Sequence, residues 1–182
     1  RKKTVLIIGG SLGARTINES VLGHLTLIKQ QNDVQFIWQT GKYYSEEINA
    51  ELQRRGCPDN LLVKDFISDM AAAYSAADLV ISRAGAGSIS EFCLLGKPVI
   101  LVPSPNVAED HQTKNALALV QKSAALMVTD ADARRALLPL AVNTVIDVSR
   151  LEDLSRQICK WAKPNAASDI ADVVIALAEK QG

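Results

Sequence analysis

A chain of 182 residues suffices for one domain, which at this size buries roughly 70% of the surface that the unfolded chain would expose. Hydrophobic residues make up 48% of the sequence and charged residues 22%, a composition typical of globular proteins. Lys and Arg together number 20, as do Asp and Glu, so the sequence lacks the basic surplus that contacts with nucleic-acid phosphates require. We therefore expect no nucleic-acid partner, whereas a small phosphorylated ligand is compatible with this neutrality.

The cysteines and the apolar runs bear on redox state and on membrane insertion. Cys57, Cys93 and Cys159 are odd in number and lack metal-type spacing, which predicts reduced thiols in a cytosolic protein. No apolar run approaches the ~18 residues of a membrane span, and no signal peptide is visible. The opening RKKTVLIIGG enters a buried strand almost at once. This start favours a domain of a longer protein, with a natural amino terminus as the alternative.

Short β-branched runs alternate with helical patterns along the chain, and the runs are apolar throughout, as expected of strands covered on both faces. They predict strands at 4–9, 34–39, 61–66, 78–82, 98–102 and 125–128. Helices are predicted near 14–29, 43–55, 69–76, 88–95 and 110–122, and then at 131–148, 150–162 and 167–180. Thr129 and Asp132 are a predicted capping pair, and Pro164 and Asn165 separate the last two helices. The alternation predicts an α/β fold, a doubly wound six-stranded parallel sheet with extra carboxyl-terminal helices.

Two glycine-rich loops fall where such a fold binds ligands. In the common strand order 3-2-1-4-5-6, strands one and four are neighbours, and ligands bind beyond their carboxyl ends. The loops that follow these strands are GGSLGA at 9–14 and RAGAGS at 83–88. We therefore expect both loops to border one crevice.

The second loop has two interpretations. Gly85, Gly87 and Ser88 at a helix start would let backbone N–H groups reach a diphosphate, and Glu91 would then accept hydrogen bonds from a ribose diol. Alternatively the glycines only permit a turn, and Ser88 and Glu91 form a capping box in which the carboxylate bonds the Ser88 backbone. Local sequence leaves both open. Arg83 adds a cation to the same stretch.

The first loop suggests a dinucleotide fingerprint but matches it poorly. The spacing of Gly10 and Gly13 is wrong, and the second strand ends in Gln39-Thr40-Gly41 without an acid to hold an NAD ribose. This disfavours a nicotinamide dehydrogenase. The Ser11 hydroxyl could donate to a phosphate or sugar oxygen, or cap the following helix.

A third stretch, VPSPNVAEDHQTKNA at 102–116, brings Asp110, His111, Gln112 and Asn115 near a helix start. Short polar groups of this kind can bind sugar hydroxyls, and the alternative is Asp110 as a helix cap with exposed neighbours. The other histidine, His24, is predicted to pack within the first helix. Neither histidine has a Ser or Cys nucleophile beside it, and no spacing suggests a metal site.

These stretches resemble one family. VLIIGGSLGA, DFISDMAAAYSAADLVISRAGAGSISE, GKPVILVPSP and EDHQTKNA are similar to the carboxyl-terminal half of the MurG family of bacterial peptidoglycan glycosyltransferases. The resemblance implies a Rossmann-like half of a two-domain GT-B enzyme. It further implies inverting transfer of N-acetylglucosamine (GlcNAc) from UDP-GlcNAc to the undecaprenyl-linked acceptor lipid I, without a metal or cofactor. The expected location is the cytoplasmic face of the inner membrane, as a peripheral protein.

The resemblance also assigns roles along the chain. It implies a UDP-sugar-binding domain at 1–165 and a last helix at 166–182 that crosses to an amino-terminal domain, where the catalytic groups are expected. Ser11 would lie near the donor phosphates, Ile67 would meet uracil through its backbone, and Gln112 would bind the transferred sugar. The diphosphate and ribose would be held by the run Ala86, Gly87, Ser88, Ile89, Ser90 and Glu91. Further candidates are Gly10, Gly13, Arg83, Gly85, His111 and Asn115.

Two positions depart from the pattern, since Leu12 and His111 stand where some relatives carry glutamine. Two rival functions remain at this point. One is the donor domain of another GT-B enzyme, a natural-product glycosyltransferase or a UDP-GlcNAc 2-epimerase. The other is a non-catalytic nucleotide-binding module.

Overall fold

The computed structural model describes residues 1–106 and 110–163. Within them lies one six-stranded sheet in the order β3-β2-β1-β4-β5-β6, with every neighbouring pair parallel. The strands are β1 (Lys3–Ile8), β2 (Val34–Gln39), β3 (Leu61–Lys64), β4 (Leu79–Ser82), β5 (Val99–Leu101) and β6 (Leu126–Met127). The predicted sheet and its strand order are therefore confirmed.

Eight helices in the described part of the chain cover the two faces of this sheet. They are α1 (Arg15–Gly23), α2 (Leu25–Lys29), α3 (Ser45–Arg55), α4 (Met70–Ala76), α5 (Ala86–Leu95), α6 (His111–Val120), α7 (Asp130–Ile146) and α8 (Val148–Cys159). The predicted capping pair is present, since the Thr129 hydroxyl accepts a hydrogen bond from the Asp132 backbone at 3.2 Å. The predicted helix at 167–180 lies outside the described residues.

The alternation of side chains along β1 divides the core into two layers. Val5 and Ile7 pack in one cluster, with residues of α1, α2, α3 and α7. Leu6 and Ile8 point to the opposite face and pack in the other cluster, with residues of α4, α5 and α6. Helices on both faces explain why the strands are apolar throughout, and they leave the carboxyl edge of the sheet to the loops.

The prediction of one continuous helix at 14–29 is wrong, because the structure has two helices there, α1 and α2. The break lies at His24, whose backbone N–H bonds Val21 at 3.0 Å instead of continuing the helical ladder. Gly23, a weak helix former, precedes the break. His24 is half-buried and places its Nδ1 atom 2.8 Å from the Ser20 carbonyl, so it joins two helices rather than packing inside one.

No helix within 1–106 and 110–163 combines the length and the apolar character needed to cross a membrane.

Candidate functional site

The loops after β1 and β4 lie side by side, because these strands pair directly, with Ile7 opposite Ile81. They border a cleft of about 280 Å³ at the carboxyl edge of the sheet. The cleft is lined by Ile8, Gly9, Gly10, Ser11, Gln39, Phe66, Ile67, Met70, Tyr74, Ser82, Arg83, Gly85, Ser88 and Gln112. The predicted meeting of the two glycine-rich loops is therefore confirmed.

The first loop is a tight turn that only glycine accommodates. Gly10 and Gly13 have φ values of 84° and 89°, and a Cβ atom at Gly13 would lie 2.2 Å from the Thr40 carbonyl oxygen. Helix α1 starts after Ala14 without any side-chain cap, so the capping alternative for Ser11 is wrong. Ser11 is exposed beside the cleft, with its hydroxyl available to a ligand.

The second loop presents an open helix start to the cleft. Gly85 is the residue before α5, and a Cβ atom added to it would meet nothing within 4 Å. The first backbone N–H group of α5 that bonds back into the helix is that of Ile89, to Gly85. The preceding N–H groups lack intrahelical acceptors, and no acidic side chain occupies the first turn. Such a terminus favours an anion through its partial positive charge.

The capping-box alternative is wrong because α5 begins at Ala86, two residues earlier than predicted. Ser88 is thereby inside the helix, and no side-chain cap is formed. The Glu91 carboxylate instead accepts a hydrogen bond from the Tyr74 hydroxyl, with 3.0 Å between Oε2 and the phenol oxygen. Glu91 is exposed and one turn beyond Ser88, so its carboxylate is bound to a residue of the cleft wall and not to its own main chain.

Arg83 lines the cleft, but its charge is already paired. Its guanidinium forms an ion pair with Asp130, the first residue of α7, and donates to the Val102 carbonyl at 3.1 Å and the Pro103 carbonyl at 3.3 Å. The other Asp130 oxygen accepts from the Thr16 hydroxyl at 2.9 Å. This network ties the loops after β4 and β5 to α1 and α7, so Arg83 fixes the cleft wall.

Two side chains of α6 form hydrogen bonds with the backbone of Ala84. Gln112 Oε1 accepts from the backbone N–H groups of Ala84, at 3.2 Å, and Ser104, at 2.8 Å. Asn115 Nδ2 donates to the Ala84 carbonyl at 3.2 Å. Gln112 lines the cleft, and with its oxygen so used its amide N–H groups are the donors that remain to it.

The remaining candidates of the third stretch lie apart from the cleft. His111 is exposed at the first residue of α6 and is not among the cleft-lining residues. Asp110 precedes α6 with a left-handed φ of 55°, and its side chain makes no capping hydrogen bond, so the predicted cap is wrong. Asn115 borders a separate groove.

That groove, of about 520 Å³, is larger than the cleft and lies between α5, α6 and the end of α8. Ala86, Ile89 and Ser90 line it. Its other walls are mostly carbon, including Leu119 and Trp161. Polar side chains and exposed helix donors meet in the smaller cleft, which we therefore take as the candidate site.

Several residues that line the cleft were not predicted from the sequence. Phe66, Met70 and Tyr74 line the wall next to Ile67. Phe66 is 44% exposed, and Lys42 Nζ lies 5.2 Å from its ring centroid, so a cation stands over the ring of this cleft-lining residue. Tyr74 is buried although it lines the cleft, and a lone tyrosine within the Ala-rich run MAAAYSA was the sequence signal for it.

Burial is the main cause that raises the pKa of the Tyr74 phenol, and the hydrogen bond to Glu91 and the charge of Glu91 raise it further. The phenol therefore stays protonated and donates throughout the neutral range.

In the described ranges no cluster of three His, Cys, Asp or Glu side chains could hold a metal ion. The absence of a metal or cofactor from the function stays a prediction.

Comparison with known proteins gives the family. The family model of the glycosyltransferase family 28 C-terminal domain matches residues 4–173. A Bacteroides thetaiotaomicron protein named UDP-N-acetylglucosamine–N-acetylmuramyl-(pentapeptide) pyrophosphoryl-undecaprenol N-acetylglucosamine transferase is 62% identical over 180 residues. The match covers 99% of this chain and 48% of that protein, so the chain spans about half the length of the curated relatives it matches.

Solved structures agree with this comparison. The crystal structure of Acinetobacter baumannii MurG superposes with a TM-score of 0.82 at 32% identity, covering 97% of this chain and 52% of that one. A Neisseria meningitidis UDP-GlcNAc 2-epimerase, bound to UDP-GlcNAc, shares the fold at a TM-score of 0.70 and 14% identity, covering 96% and 45%. The family match over most of the sequence, on a sheet with this topology, shows that the chain belongs to the glycosyltransferase family 28 C-terminal domain family.

Proposed function

We propose that this chain is the donor-binding half of an inverting N-acetylglucosaminyltransferase that uses UDP-GlcNAc and the lipid-linked acceptor lipid I. The observation that carries the proposal is the cleft, where an uncapped helix start and two glycine-rich loops stand next to a carboxylate held by Tyr74. The high identity to transferases of that name supports this chemistry over the 2-epimerase alternative, since the epimerase resembles the chain only in fold.

The donor would lie across the carboxyl edge of the sheet. The diphosphate would accept hydrogen bonds from the start of α5 and from the Ser11 hydroxyl, because Ser11, Gly85 and Ser88 line the cleft and the first turn of α5 carries no acidic side chain. The ribose would lie at Glu91 and the uracil at Ile67 and Phe66. The sugar would meet the amide donors of Gln112.

In this pose the start of α5 would stabilise the negative charge that develops during the transfer. The acceptor hydroxyl would attack the anomeric carbon while the bond from that carbon to the diphosphate oxygen breaks. Negative charge then develops on the leaving UDP, next to the backbone donors of α5. The hydroxyl proton would pass to a base that we expect in an amino-terminal domain, outside this chain.

The remaining parts of the proposal concern the longer protein. We infer a donor domain at 1–165 and a segment at 166–182 that crosses to the other domain, with the enzyme acting peripherally at the cytoplasmic face of the inner membrane. The names of the relatives, which specify an undecaprenol-linked acceptor, support the membrane location. This chain by itself should bind donor weakly and produce no transfer.

The central test is titration of the chain by calorimetry with UDP and, for comparison, with ADP, GDP and NAD. We expect UDP to bind best, and Glu91→Gln to weaken it by at least about 10-fold, since a charge-assisted hydrogen bond contributes roughly 1.5–3 kcal/mol. Glu152→Gln is the matched control, because Glu152 is exposed on α8 away from the cleft. Equal binding of all four nucleotides, or an unaffected Glu91→Gln variant, would refute the assignment.

A transfer assay with the full-length protein separates the proposal from its rivals. We expect GlcNAc transfer to a lipid-linked muramoyl-pentapeptide. Epimerisation of UDP-GlcNAc without acceptor would establish the epimerase alternative, and UDP binding with no reaction would establish the non-catalytic one.

A further inference from the structure

Tyr74 lines the cleft but is not among the residues proposed to bind the donor directly. It sits on α4 and is only 7% exposed, with its ring edge-on against Phe92 at 6.0 Å between centroids and an interplanar angle of 85°. Phe92 is the neighbour of Glu91 on α5 and is completely buried. The ring is therefore fixed between two helices, and its hydroxyl donates a hydrogen bond to the Glu91 carboxylate on α5.

Glu91 needs such a partner, because an exposed glutamate otherwise samples many rotamers. Ordering a long side chain when a ligand binds costs conformational entropy. Among the residues that the structure describes, Tyr74 is the hydrogen-bonding partner of Glu91. The bond occupies one site on Oε2 and leaves Oε1, together with a second site on Oε2, as acceptors. A carboxylate has about four acceptor sites, so about three remain, and two of them suffice for the two adjacent hydroxyl donors of a vicinal diol.

We propose that Tyr74 is a positioning residue that holds Glu91 ready for a ribose diol and thereby makes the site select ribonucleotides over their deoxy analogues. The inference rests on the proposed donor function and deepens it. Because the phenol stays protonated at neutral pH, it donates to Glu91 and leaves the carboxylate to accept from the ligand. Tyr74 touches Glu91 and not the reacting atoms, so its effect should fall on binding and on nucleotide choice.

The test compares UDP with 2′,3′-dideoxyuridine diphosphate, which lacks both hydroxyls. Tyr74→Phe removes only the hydroxyl and keeps the ring against Phe92. We expect it to weaken UDP by about 3- to 10-fold while changing the dideoxy compound by less than about 2-fold, the size expected of one hydrogen bond. In Glu91→Gln the further change Tyr74→Phe should cost less than it does in the parent. Tyr43→Phe is the matched control, because Tyr43 is exposed and lines a different pocket, with Tyr44 and Glu47.

The outcomes separate two failures. If the parent chain does not bind UDP, the donor function itself is wrong. If UDP binds, but Tyr74→Phe weakens both compounds equally or neither, the donor function stands and the positioning role is refuted.

A second readout avoids any variant at Tyr74. The chain has three tyrosines, so 3-fluorotyrosine labelling gives a simple ¹⁹F NMR spectrum. We expect the Tyr74 signal to move in Glu91→Gln and on addition of UDP, and to move far less with the dideoxy compound. A signal that moves equally with both compounds, or in no condition, would contradict the proposal.

Discussion

Gly85→Ala tests whether the start of α5 holds the diphosphate, because it separates binding from folding. The new Cβ atom would meet no protein atom within 4 Å, and Gly85 has an ordinary φ of −67°. The folding cost is then limited to the helix-cap preference for glycine over alanine, about 0.5–1 kcal/mol. For a chain of this size that lowers the melting temperature by roughly 1–4 °C.

The same methyl group would project next to the cleft, which Gly85 lines. A diphosphate displaced by one methyl group loses one or two charge-assisted hydrogen bonds, at roughly 1.5–3 kcal/mol each. We therefore expect UDP to bind at least about 10-fold more weakly, measured by calorimetry alongside a thermal melt.

Gly23→Ala is the matched control, because a Cβ atom there also meets nothing within 4 Å and Gly23, at the carboxyl end of α1, does not line the cleft. It should leave UDP affinity unchanged. If Gly85→Ala binds UDP as tightly as the parent, the diphosphate does not approach this turn and the donor pose is wrong.

Two further predictions concern stability. Arg83→Met removes the ion pair to Asp130 and two hydrogen bonds to backbone carbonyls, all in a mostly buried setting. It should lower the free energy of unfolding by about 2–3 kcal/mol in a urea titration. An unchanged urea midpoint would show that the network does not support the loops. Tyr74 has a folded-state pKa raised above its ordinary value of 10.0, so the stability tied to its protonated form is fully present below pH ~10 and is lost as the pH rises further. Tyr74→Phe should flatten that alkaline loss in melts taken across the range, and an equally steep loss in the variant would contradict the raised pKa.

The fold was predictable because its signals are local and repeated. Six fully apolar runs alternate with helical patterns, and this fixes a parallel sheet and brings the loops after β1 and β4 to one edge. The alternation does not determine where a helix begins. The pattern at Ser88 and Glu91 suits a capping box, yet Gly85 starts α5 earlier and frees Glu91 for the cleft.

Contacts between distant residues decide the rest of the site. Tyr74 and Glu91 are 17 residues apart, and Arg83 and Asp130 are 47 apart. Each pair joins two elements whose mutual orientation follows from packing, which the sequence pattern alone does not give. The break at His24 is a similar case, because a continuous apolar stripe concealed a local change of hydrogen bonding.

The assignment of this cleft to the donor is tested most directly by mapping UDP onto the chain with backbone amide NMR. The largest shifts are expected at Ser11, at Ile67 and at the start of α5 from Gly85 to Ser88, since Gly85 and Ser88 line the cleft. Shifts confined to the groove beside Trp161, or spread evenly over the surface, would show that the nucleotide binds elsewhere or not at all.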